Sequence, residues 1–108
     1  MYQELVHEEE YKGLQICLYL LPEDNWDMPE QEREELERQI RDGHLLWFCA
    51  RVVASMDGMK LAEDYLGGNC YESVDDFIAS DYYDDMKENV FKDACKEIEN
   101  LIEWSKDK

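Results

Sequence analysis

Apolar and polar residues alternate from Tyr11 to Leu21, with Leu14, Ile16, Leu18 and Leu20 on one side, and the run stops at Pro22. A period of two places these side chains on one face of a β-strand over about 11–21. The period then changes. Asp27 followed three residues later by Glu30, with Pro29 in the first turn, starts a helix over about 28–42, ending at Gly43. Glu34/Arg38 and Glu37/Arg41 are spaced for i,i+4 ion pairs, and only Leu36 and Ile40 give this helix an apolar edge, so it is expected on the surface. Two further runs, about 44–56 and 59–67, are joined by Asp57-Gly58, a dipeptide suited to the positive φ of a two-residue hairpin turn. That register sets Met56 opposite Met59, Ala54 opposite Leu61 and Arg51 opposite Asp64 as a cross-strand ion pair. Gly67-Gly68-Asn69 is expected to end the second strand.

Beyond residue 70 the spacing becomes helical. Ser73 with Asp76 forms a capping box before Val74, Phe77 and Ile78, predicting a short helix over about 74–80. Asp81 opens a longer one over about 82–105, in which Tyr83, Met86, Val90, Ala94, Ile98 and Leu101 recur every three or four residues as a stripe that should cover a sheet. The expected fold is one α+β domain over 1–108, a three-stranded and mainly antiparallel sheet packed by helices. A chain of 108 residues that is 44% hydrophobic and 12% aromatic can bury one modest core.

Charge restricts the partners. Twenty-eight acidic residues against 11 basic ones leave a formal charge of −17, which repels nucleic acid and anionic membrane and favours a basic protein or nucleoprotein complex. Spread evenly over roughly 6,300 Å² of surface, this is one net charge per about 370 Å². Duplex DNA carries on the order of one per 110 Å², so DNA-like density requires the acids to crowd onto one side. Solubility of a small domain needs a net charge of only about 2 to 8, so the excess implies a role in binding.

Residue chemistry offers little to catalysis. His7 and His44 sit in no metal-binding motif, Gly67-Gly68 lacks the lysine of a phosphate loop, and Asp81, Asp84 and Asp85 lack calcium-loop spacing. Cys17, Cys49, Cys70 and Cys95 form no C-x-x-C pair and are expected as buried free thiols. The first ten residues carry Glu4, Glu8, Glu9 and Glu10 and no basic leader, and no apolar run reaches the ~20 residues of a membrane span, so a reducing cytoplasm is expected. No catalytic residue, cofactor or metal site is assigned, and the chain is read as not an enzyme. Paired carboxylates for acid–base work are the alternative, and require a closed pocket.

The remaining feature is the density of acid at Asp75, Asp76, Asp81, Asp84, Asp85 and Glu88, bordered by Tyr71, Tyr82 and Tyr83. Six carboxylates within fourteen residues cover on the order of 20 Å of helix, comparable to several phosphates of one DNA strand. Acidic residues in a first turn also serve the helix dipole, and Glu88/Lys92 is an ordinary i,i+4 pair, so the same residues suit a solvated face.

In size, charge and the stretch from Asp75 to Glu88, the chain resembles the small acidic anti-restriction and anti-CRISPR proteins of phages and mobile elements, some of which mimic DNA. The segment from Val53 to Gly58 and from Asp64 to Ser73 is also similar to uncharacterised phage proteins. The resemblance implies an inhibitor that occupies a basic nucleic-acid-binding surface of a host defence nuclease or CRISPR complex in the host cytoplasm. The lysines from Lys87 onward depart from a long uniform DNA-like face. Two other readings stand beside it: an immunity-type inhibitor or regulator of one basic enzyme without DNA mimicry, and a homodimer formed through an apolar strand edge.

Overall fold

The computed structural model describes residues 3–23 and 29–106. It is an α+β fold in which a four-stranded antiparallel sheet, in the order β1-β2-β3-β4, packs on one face against helices. The strands are β1 (Glu4–Tyr11), β2 (Leu14–Pro22), β3 (Leu46–Met56) and β4 (Met59–Tyr71); the helices are α1 (Glu30–Arg41), α2 (Val74–Ile78) and α3 (Asp81–Lys106).

The sheet therefore has four strands where the alternation predicted three. The expected first strand is divided by a turn at Lys12 (φ 51°) and Gly13 (φ 89°), so Tyr11 closes β1 and β2 begins at Leu14. β1 escapes the hydrophobic pattern because polar groups stand where an interior strand would have leucines. His7, Glu9 and Tyr11 lie opposite Leu18, Ile16 and Leu14, on the helix-covered face, and their polar atoms bond among themselves and to α3.

The Asp57-Gly58 turn is present, with φ 51° and 81°, and Met56 faces Met59 as expected. The register then slips between Ala54 and Ser55: Ser55 faces Lys60 and Ala54 faces Ala62, leaving Leu61 as the extra residue. The slip sets Arg51 opposite Tyr65, and its ion pair is with Glu63 at 2.7 Å, in place of the expected Asp64. β4 also continues past Gly67-Gly68 to Tyr71. The two glycines form a bulge opposite Cys49, and Asn69, 5% exposed, donates from Nδ2 to the carbonyls of Phe48 and Leu66 and so carries the ladder across it.

In α1, Pro29 holds the N-cap position, while Asp27, expected to start the helix, lies outside the described residues. The pairs that form are Arg33–Glu37 at 3.0 Å and Arg38–Glu35 at 2.6 Å, instead of Glu34/Arg38 and Glu37/Arg41. Glu35 has the advantage over Glu34 because Gln39 holds it as well. No residue of α1 is buried, in keeping with its narrow apolar edge.

The core lies between the sheet and α2 and α3. β2 contributes Leu14, Ile16 and Leu18, β3 contributes Phe48, Ala50, Val52 and Ala54, and the helices answer with Phe77, Tyr83, Met86, Val90 and Ala94. Ser73 caps α2 by accepting from the Asp76 N–H at 3.2 Å, and Phe77 then stacks edge-on against Phe48, Tyr71 and Tyr83. None of the four cysteines is fully buried. The reason is strand alternation, because Cys17, Cys49 and Cys70 occupy the parity facing away from α2 and α3.

Candidate functional site

The acidic segment is built from two consecutive helix starts. Asp75 and Asp76 occupy the first turn of α2, and Asp81 and Asp84 the first turn of α3, where carboxylates complement the positive end of the helix dipole. Ser80 forms the joint: its hydroxyl donates to the Phe77 carbonyl at 2.6 Å and accepts from the Tyr83 N–H at 3.4 Å. At about 100° per residue, Asp81, Asp84, Asp85 and Glu88 share an arc on the side of α3 opposite Tyr83, Met86 and Val90. The apolar stripe that anchors α3 thereby turns these acids toward solvent.

From Leu61 to Met86 the chain has no Lys, Arg or His and eight carboxylates. Glu63 is paired with Arg51 and Lys60, and Asp64 accepts from the Tyr65 N–H. The other six, Glu72, Asp75, Asp76, Asp81, Asp84 and Asp85, are all exposed, and none forms an ion pair among the described residues. These six carboxylates leave a run of like charge open to a cation.

Glu88 belongs to the same arc but has other work. Its carboxylate accepts from the Tyr11 hydroxyl at 2.6 Å, and that bond holds it below the ordinary carboxylate range. The three tyrosines also differ. Tyr83 is 1% exposed and belongs to the core, Tyr71 is half-buried against Phe48 and Phe77, and Tyr82 is 60% exposed. Tyr82 and Tyr71 border a shallow cleft of about 340 Å³ whose floor is the bulge of β4, Leu66 to Cys70. Glu23 reaches this bulge from the end of β2 and accepts from the Gly68 N–H at 2.7 Å. A Cβ at Gly67 would lie 2.5 Å from the Glu23 carboxylate, so a side chain there would displace the end of Glu23.

No family model, curated protein or solved structure matches this chain. The case for function therefore rests on its own residues.

Beneath the acidic arc lies a polar seam not visible in sequence spacing. Glu9 of β1 accepts from the Tyr83 hydroxyl at 2.8 Å and from Lys87 at 3.1 Å, and bonds His7 at 2.9 Å. Burial favours the neutral form of Glu9, but the bonds from His7, Tyr83 and Lys87 outweigh it and hold the carboxyl below its ordinary value of 4.5. Burial and this bond push the Tyr83 phenol well above its ordinary value, so it remains a donor. Lys87, the first basic residue after the acidic run, is turned inward to Glu9, and of the arc its charge acts on Glu88. The only signal of this in the sequence was the parity of His7, Glu9 and Tyr11, which their charge obscured.

Burial raises the thiols of Cys17, Cys49 and Cys70, with Glu8 adding to the effect at Cys17, so these three are protonated thiols at neutral pH and not activated nucleophiles. Among the described residues no group of three or more His, Cys, Asp or Glu is arranged to hold a metal ion, and no helix is long and apolar enough to cross a membrane.

Proposed function

We propose that this chain is a protein-binding inhibitor, not an enzyme, that acts in the cytoplasm by placing the surface from Asp75 to Glu88, with Tyr71 and Tyr82 at its border, in a basic nucleic-acid-binding groove of a host defence nuclease or CRISPR complex. The observation that carries this reading is the run of six exposed carboxylates without counter-charge across the starts of α2 and α3. Lysines and arginines that normally hold phosphates would meet carboxylates on a helix face, and inhibition would follow from occupancy. A field of one sign speeds encounter and makes it sensitive to salt.

The reading is tested by changing Asp75, Asp76, Asp81, Asp84 and Asp85 together to asparagine. This removes five charges, leaves the hydrogen bonds of the core and of Glu88 in place, and retains side chains able to cap helices. Against the protein retained from a host lysate, the variant should bind on the order of a hundredfold more weakly at low salt, with a flatter dependence on ionic strength. Unchanged affinity and slope would show that the wrong surface has been chosen.

A second reading draws on the exposed Tyr82 beside its cleft. An immunity-type inhibitor would use this compact acidic and aromatic patch against one enzyme without imitating DNA. Competition separates the two: generic duplex DNA displaces a mimic, whereas only the cognate substrate displaces a dedicated inhibitor. Tyr82→Ala should then cost more affinity than any single Asp→Asn change.

A further inference from the structure

The apolar stripe of α3 outlasts the sheet it covers. Tyr83, Met86, Val90 and Ala94 are buried and Ile98 is half-buried, but every residue from Glu99 to Lys106 is exposed although the spacing continues through Leu101, Ile102 and Ser105. The tip of the β3–β4 hairpin ends beside this overhang. Met56 from the hairpin and Ile98, Leu101, Ile102, Ser105 and Lys106 from α3 line one apolar groove. Met56 is 37% exposed, Met59 49%, Leu101 40%, Ile102 50% and Trp104 62%. With about 200 Å² for a large apolar side chain, Met56, Met59, Leu101 and Ile102 leave roughly 350 Å² of apolar surface at one end of the molecule, in the range of the largest patch on a single chain, which is often functional.

Charge identifies the occupant. Lys60, Lys92, Lys96 and Lys106 nearly offset Asp57, Asp93, Glu97, Glu99 and Glu103, so residues 56–60 and 92–106 together carry −1 of the chain's −17. With so little net charge, this end offers little to a basic partner and repels a second copy only weakly. The molecule is also long, 59 × 25 × 23 Å, with a radius of gyration of 16.8 Å against about 13 Å for a compact domain of this length. Asp84 lies about 27 Å from Ile102 along α3, several Debye lengths at physiological salt. Two copies can therefore meet at these ends while their acidic arcs stay apart and unobstructed.

We propose that the overhang of α3 and the β3–β4 hairpin tip form a self-complementary surface through which two copies of this chain pair about a two-fold axis. The α3 helices cross antiparallel near Ile102, which packs against Ile102 of the second copy, and Lys106 of each lies beside Glu99 of the other. The groove by each Met56 receives the second helix. Roughly 350 Å² of apolar area plus a polar rim falls below the ~800 Å² per partner of a standard interface, the size of a weak, concentration-dependent pair. Because the join is apolar and both bodies are anionic, the pair tightens as salt is added, the opposite of the salt response proposed for the acidic arc.

Sedimentation of the full chain from about 1 to 500 µM, at low and at high salt, tests this. The expected result is a concentration-dependent shift from 12.9 kDa toward twice that mass, stronger at high salt. Ile102→Glu and Leu101→Glu, at exposed positions, should each weaken pairing at least tenfold with an unchanged circular dichroism spectrum. Glu99→Lys and Lys106→Glu should each weaken it relative to the variant carrying both. A single 12.9 kDa species at every concentration and salt, or a dimer indifferent to Ile102→Glu, overturns the proposal. So does a monomer that co-floats with neutral phosphatidylcholine vesicles through this patch, which would assign the patch to lipid.

Discussion

Glu9 shows how one side chain can join two elements through polar bonds. Its carboxylate gathers the Tyr83 hydroxyl, Lys87 and His7, and Tyr83 itself is 1% exposed. Removing the acceptor strands a buried donor, whereas removing the donor leaves Glu9 with Lys87 and His7. Glu9→Ala should therefore cost about 2 kcal/mol and Tyr83→Phe about 1 kcal/mol in urea unfolding at neutral pH; the reverse order would mean that the seam does not bear on stability. The pH dependence has a definite sign. A carboxyl whose folded pKa is depressed contributes stability above the unfolded value, near 4.5, and loses it as pH falls through the lower folded value. Glu9→Gln should flatten the loss of stability below about pH 4.5 while retaining the fold. Glu63, held below its ordinary value first by its bond from Arg51, adds to the same limb and should leave part of the slope in the variant. An acid limb identical to that of the parent chain would remove Glu9 from the account.

Among elements, the two hairpins solve the same problem with unequal visibility. Asp57-Gly58 and Lys12-Gly13 adopt nearly the same pair of positive φ angles. Aspartate before glycine advertises such a turn, because its short polar side chain tolerates the left-handed region, whereas lysine there gives no warning. The strand ahead of Lys12 was hidden for a related reason: its inward side chains are histidine, glutamate and tyrosine, whose polar atoms are satisfied by one another and by α3. Gly58→Ala places a Cβ at φ 81° and should destabilise the protein by about 1–2 kcal/mol, read as a lowered urea midpoint at constant slope. A neutral outcome would imply that the turn can relax to another type. The stripe of α3, by contrast, was legible from Tyr83 to Ala94, because period and burial coincide there.

The whole molecule must hold a charge of −17 in an elongated body. Mutual repulsion of this size opposes folding, so the thermal midpoint should rise by several degrees as sodium chloride is raised from about 20 to 500 mM. A midpoint that falls or stays level would mean that ion pairs such as Arg51–Glu63 and Lys87–Glu9 outweigh the repulsion. The sequence alone determined that a single core of strands and amphipathic helix would form, that the surplus charge would be negative, and that Asp75 to Asp85 would stand at helix starts, because these follow from composition and from periods of two and 3.6 residues. Tertiary structure decided which acids remain without a counter-charge: pairing across the sheet took Glu63 to Arg51, packing of β1 beneath α3 took Glu9 to Lys87 and Glu88 to Tyr11, and the outward side of α3 was left to Asp81, Asp84 and Asp85. The physical reason is that local spacing reports which side chains share a face, while the identity of the neighbour facing them depends on register and on residues tens of positions away.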